Sequence, residues 1–111
     1  MKDIQIIRIP SNSSLKEPLV WIATLNNKCI GHVRLSIEHQ KLKFHDAWVH
    51  PDYRRQGIYT LLWEIREKYC QEHFKGWKTY AWCKKTSLPL YLRKGYIQKE
   101  SCILVEKNLD S

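Results

Sequence analysis

The chain has 111 residues, 43% of them hydrophobic and 12% aromatic, and a formal net charge of +8. That is the length of one domain with a modest core, and the composition excludes a disordered chain. No apolar run is long enough to span a bilayer and the N-terminus does not read as a signal peptide, so a single soluble, cytoplasmic domain over 1–111 with no membrane partner is expected.

In chain order, Ile4 to Ile9 reads as a strand closed by Pro10, and "PSNSSLKEP" as a polar loop between two prolines. "LVWIATL" (Leu19–Leu25) is an apolar strand. Asn26 to Lys28 supplies turn chemistry, and "CIGHVRLSI" completes a hairpin. After "EHQK", "LKFHDAWV" (Leu42–Val49) reads as a further strand of the meander. Ile58, Leu61, Leu62, Ile65 and Tyr69 then recur at helical spacing and predict the buried face of an amphipathic helix, with Glu64 and Lys68 paired outside. Gly76 is the expected helix stop. "WKTYAWC" (Trp77–Cys83) is a strand. "SLPLYLRKG" is a short helix with Ser87 as cap and Gly95 as stop, and "CILVEK" (Cys102–Lys107) is the last strand. The order is β-β-β-β-α-β-α-β, an α/β chain. Its strand–helix–strand run requires one parallel pair joined by a right-handed crossover.

Cys29, Cys70, Cys83 and Cys102 are widely spaced and form no C-x-x-C. Free thiols are expected, with neither a disulfide framework nor a metal site. The charge points to a polyanionic partner: nucleic acid, an acidic protein or a cofactor bearing several phosphates. Charge alone does not choose among them. Five tryptophans could stack on bases, but the positions of Trp48 and Trp82 within predicted elements favour the core.

The chemistry concentrates where the third meander segment meets the long helix, at "HPDYRRQG". Ligands of such sheets bind at the carboxyl ends of the strands. A helix start offers unpaired N–H groups and the positive end of a dipole. Gly57 lets the backbone approach a ligand, and Arg54 and Arg55 add charge. A solvated turn is the plainer reading of the same residues.

"VHPDYRRQGIYTLL" resembles the acyl-CoA-binding motif of the GNAT superfamily of N-acyltransferases, (Gln/Arg)-x-x-Gly-x-(Gly/Ala) after a strand ending Val-x-Pro. Arg54, Gly57 and Tyr59 fall on its three fixed positions, and Tyr59 departs from the small residue usual there. "LPLYLRKGYI" resembles the family's second signature through Tyr91, Gly95 and Tyr96. The resemblance covers about Cys29 to Lys107. It implies a mixed, mostly antiparallel sheet with a central parallel pair. It further implies transfer of an acetyl group from acetyl-CoA, with no metal, to an amine by direct attack. Arg54, Arg55, Gln56, Gly57, Ile58 and Tyr59 would hold the pyrophosphate. The splayed strand end Ala47, Trp48 and Val49 would pair with the pantetheine arm and supply an oxyanion donor.

Tyr91 matches the family's general acid, against a role in packing the short helix. For the base, the candidates are His45, Asp46, or no dedicated group. Strand alternation puts His45, Ala47 and Val49 on one face and Asp46 and Trp48 on the other. Lys84 stands where relatives carry an Asn, and meets either a phosphate or solvent. Relatives have one or two helices between the first two strands, where this chain has only "PSNSSLKEP". The acceptor side is therefore expected to be open, suited to a large or acidic amine, or completed by a second subunit as a homodimer. The competing function is a binding module, for CoA without turnover or for nucleic acid.

Overall fold

The computed structural model describes residues 3–9, 18–100 and 104–109. The loop expected at Pro10–Pro18 lies mostly outside them, as do Cys102 and the start of the last predicted strand. Among the described residues eight strands and two helices follow one another: β1 (Ile4–Ile9), β2 (Leu19–Leu25), β3 (Lys28–Glu38), β4 (Lys41–Phe44), β5 (Trp48–Val49), α1 (Ile58–His73), β6 (Lys78–Trp82), α2 (Leu88–Arg93), β7 (Ile97–Glu100) and β8 (Leu104–Asn108). They form one sheet in the order β1-β2-β3-β4-β6-β8-β7, with β5 pairing to β3 off this path. Every pair is antiparallel except β4 with β6. The mixed, mostly antiparallel sheet with a single central parallel pair is as expected. No helix among the described residues is long and apolar enough to cross a membrane.

Local chemistry explains the meander. Asn26 and Asn27 take φ of +52° and +64°, the paired left-handed residues that a tight β-hairpin requires. In β2, Leu19, Trp21 and Ala23 point inward and are buried, while Val20 and Ile22 between them are only partly covered. α1 lies over β2, β3 and β5. Trp63 of α1 packs edge-on against both Phe44 of β4 (5.6 Å) and Tyr91 of α2 (5.5 Å). Both helices therefore cover the same face of the sheet, and the core is the layer between.

Four expectations about the elements need correction. The predicted strand 42–49 is two strands with a break at His45–Ala47. A strand at Ile97–Glu100 was not foreseen. "IQKE" has one apolar residue and forms an edge strand only because β8 supplies its hydrogen-bonding partner. The helix face is also turned. The buried residues of α1 are Ile58, Leu62, Trp63, Arg66 and Cys70, while Leu61 is 39% exposed. Trp63 is the largest side chain on the helix and its burial outweighs that of Leu61. Arg66 follows it inward. Glu64 pairs not with Lys68 but with Lys94 of the neighbouring helix end, at 3.3 Å. Cys29 and Cys70 are free thiols.

Candidate active site

The register around β3 shows how the site opens. Phe44 stands opposite Leu35, and Trp48 opposite His32. Three residues, His45, Asp46 and Ala47, thus face two, Val33 and Arg34. That is a β-bulge, which re-aims the side chains next to it. Phe44 and Val49 are both buried although five positions apart, so the expected alternation fails here. His45 and Val49 do not share a face. His45 turns away from the helices and hydrogen-bonds Ser36 at 2.7 Å. Asp46 turns toward them.

After the bulge, β5 stays with β3 and leaves β6. The parallel pairing stops at Lys43–Tyr80. The two strands diverge, and the gap continues into a cleft of about 550 Å³ on the helix side. Gly31 permits this geometry: a Cβ there would stand 2.9 Å from the Trp48 carbonyl and 3.2 Å from Leu62 Cδ1.

Arg66 pins the bulge from beneath. It is fully buried, donates from Nη1 to the backbone carbonyls of Arg34 (2.9 Å) and His45, and lies 4.1 Å from the centre of the Phe44 ring. No carboxylate pairs with it among the described residues. Carbonyl dipoles and an aromatic face replace part of the solvation that burial removes.

The second wall is the turn between β5 and α1. A 3-10 turn at Pro51–Tyr53 begins at His50, whose Nδ1 accepts from the Asp52 N–H at 3.1 Å. Arg54 Nε donates to the Val49 carbonyl at 2.9 Å, so this side chain braces the turn against the strand end as well as lining the cleft. Arg55 and Gly57 both take left-handed φ, +65° and +81°. Such alternation points successive N–H groups into one concavity. Gly57 is the helix N-cap, no side chain caps α1, and a Cβ on Gly57 would meet nothing within 4 Å. The first N–H groups of α1 therefore face the cleft without an intrahelical acceptor.

Of the expected residues, Asp46, Ala47, Trp48, Val49, Arg54, Arg55, Gly57, Ile58, Tyr59 and Lys84 line this cleft. Gln56, His45 and Tyr91 do not. Tyr91 is 0% exposed, packed edge-on against Tyr96 (5.0 Å) as well as Trp63. Its hydroxyl is buried beside Trp63 and Arg66, and that of Tyr59 is buried beside Ser87. Burial pushes the phenols of Tyr91 and Tyr59 up; the Arg66 charge opposes this in both and the Asp46 charge adds to it. Both stay protonated at neutral pH. The pKa of His45 is lowered to about 4, first by burial and then by Arg34, Lys43 and Arg66.

Ser87 stands at the N-cap of α2 but does not cap it. Its Oγ donates instead to Asp46 Oδ1 at 3.2 Å, with the Lys84 carbonyl as the other acceptor in reach at 3.3 Å. Ser87 and Arg93, which also lines the cleft, were not legible as site residues. The only signal was their closeness to Lys84 and Tyr91 in the sequence. Among the described residues no three of His, Cys, Asp and Glu gather as a metal site would require.

The family model for the GNAT acetyltransferases matches residues 4–96. No curated protein matches the sequence. Among solved structures, an acetyl-CoA-bound GNAT family acetyltransferase from Elizabethkingia anophelis superposes with TM-score 0.76 at 15% identity, over 97% of this chain and 99% of that one. The ribosomal-protein-S18-alanine N-acetyltransferase of Escherichia coli gives 0.71 at 15% identity, over 85% of this chain and 70% of that one. The PaiA N-acetyltransferase of Thermoplasma acidophilum, in complex with coenzyme A, gives 0.68 at 17% identity, and this chain covers 83% of itself and 61% of that enzyme. The chain, with its split central strand, its amide-lined turn and its family-model match over most of its length, belongs to the GNAT acetyltransferase family.

Proposed function

We propose that the protein transfers an acetyl group from acetyl-CoA to a primary amine. The observation that carries this reading is the joint itself. An uncapped helix start and two left-handed residues aim backbone N–H groups into a cleft. That cleft begins where the parallel strands part.

The chemistry of the lining suits the donor. A pyrophosphate is matched by the amides of Arg55 to Tyr59, and the phosphates by Arg55, Lys84 and Arg93. The free edge of β5 gives an extended pantetheine arm N–H and C=O groups to pair with. An N–H there faces the thioester carbonyl as the oxyanion donor.

Attack by the amine forms a C–N bond and breaks the C–S bond. One proton must leave the ammonium and one must reach the departing thiolate. Asp46 takes the first role in this reading, because its carboxylate lines the cleft and Ser87 holds it. His45 is held neutral at pH 7 but is a weak base, and it faces the other side of the sheet. Tyr91 takes the role of proton donor to sulfur in this reading through its place in the family's second signature; its ring is fully buried and does not line the cleft, so the proton has to reach sulfur from behind the lining.

Titration of the wild-type chain with acetyl-CoA by calorimetry tests this reading, followed by thiol release over a panel of amines. Saturable binding with one site per chain, and thiol release that requires an amine, are expected. A chain that binds no acetyl-CoA at millimolar concentration overturns it.

A further inference from the structure

Both helices cover one face of the sheet, and none of the described residues covers the other. Register fixes which side chains stand there. Thr79 and Ala81 of β6 are buried on the helix side, so Lys78, Tyr80 and Trp82 lie opposite. His32, Arg34 and Ser36 alternate with the buried Val33 and Leu35. Trp48 stacks on His32 with ring centres 5.4 Å apart and an interplanar angle of 27°. Trp48 is 38% exposed and Trp82 49%, which corrects the expectation that both are core.

This bare face is also basic. Arg34 stands between His32 and His45 and lowers the pKa of both, secondary to their burial. Lys41 lies over the Tyr80 ring at 5.8 Å. The carboxylates on this face are already engaged: Glu38 accepts from the Tyr80 hydroxyl at 2.8 and 3.0 Å, and Glu106 pairs with Lys78 at 3.1 Å. Arg34, Lys41 and Lys43 have no ion-pair partner among the described residues.

We propose that this face binds single-stranded nucleic acid, with bases stacked on Trp48 and Trp82 and phosphates on Arg34, Lys41 and Lys43. A flat sheet presenting exposed aromatic faces among unpaired cations meets both needs of such a ligand. A second copy docking through this region would set Arg34, Lys41 and Lys43 against their own equivalents. An acidic polypeptide satisfies the cations but leaves the indole faces unused. The proposed site shares only Trp48 with the donor cleft; Trp82, Arg34, Lys41 and Lys43 lie outside it, so the two activities can be separated.

The test is fluorescence anisotropy of a labelled twelve-nucleotide oligouridylate with the full chain. Binding with quenched tryptophan emission is expected. Three phosphate contacts give a salt slope near −2, so a rise from about 50 to 200 mM salt weakens binding about twentyfold. Trp82→Ala weakens it about tenfold or more while acetyl-CoA affinity is unchanged. Trp82→Thr, which keeps a strand-favouring residue, repeats the test if the alanine variant unfolds. Arg34→Gln reduces the salt slope by about 0.7. The proposal fails if the oligonucleotide does not bind, or if a duplex of equal length binds as well. It also fails if both Trp82 variants bind like wild type, or if light scattering shows a dimer that excludes the oligonucleotide.

Discussion

The two walls of the cleft are built of different material. The wall formed by the turn before α1 is backbone: amides held by the φ of Arg55 and Gly57 and braced by Arg54 on the Val49 carbonyl. The wall formed by the bulge and α2 is side chain: Asp46 held by Ser87, with Leu90 and Arg93 of α2 lining it. A backbone wall follows from local sequence, because only conformation has to be specified. A side-chain wall depends on which elements pack against it. The first is suited to holding a donor of fixed shape, and the second to setting protonation states.

Substitutions can break that division of labour. The largest effect is expected from Gly57→Glu. Its φ of +81° strains any side chain, and the carboxylate enters the cleft beside the phosphates. Acetyl-CoA affinity measured by calorimetry should fall at least a hundredfold while the circular dichroism spectrum holds. Retained affinity would mean that the backbone wall is not the donor site.

The proton donor is sharpened by comparing two phenols: Tyr59, which lines the cleft, and Tyr91, which is fully buried and does not. Tyr91→Phe should lower kcat about a hundredfold or more and leave the acetyl-CoA dissociation constant within about twofold. Tyr59→Phe should lower kcat less than about tenfold. The reverse ranking, read from initial rates of thiol release, would move the acid to Tyr59.

The hinge between the walls is the approach of β5 to β3. Gly31→Ala forces a Cβ against the Trp48 carbonyl and Leu62. It should cost about 1–3 kcal/mol of stability in urea denaturation, and an unchanged midpoint would show that β5 is free to move.

The smallest effect concerns His45. Its folded pKa, lowered to about 4, lies below its unfolded value of 6.5. The unfolded chain therefore binds the proton first. The stability from keeping this ring neutral is full above pH 6.5 and is lost as pH falls toward 4. His45→Gln should flatten that decline by on the order of 1 kcal/mol, discounted for partial exposure. It should leave kcat near wild type. A large fall in kcat would make His45, not Asp46, the proton acceptor.

The sequence by itself determined the strand and helix order, apart from β7 and the division of 42–49 into β4 and β5, together with the Asn26–Asn27 hairpin, the parallel pair and the turn that lines the cleft. Each rests on local conformation or on a crossover rule that needs no tertiary detail. Only the tertiary structure decided where the side chains face. One extra residue at His45–Ala47 reversed the alternation, sending His45 to the open face while Asp46 lines the cleft. Trp63 competed with Leu61 for the core and drew Arg66 in with it. Trp48 and Trp82 are exposed because both helices settled on the other face of the sheet. Burial is a property of packed neighbours, and no window of sequence contains them.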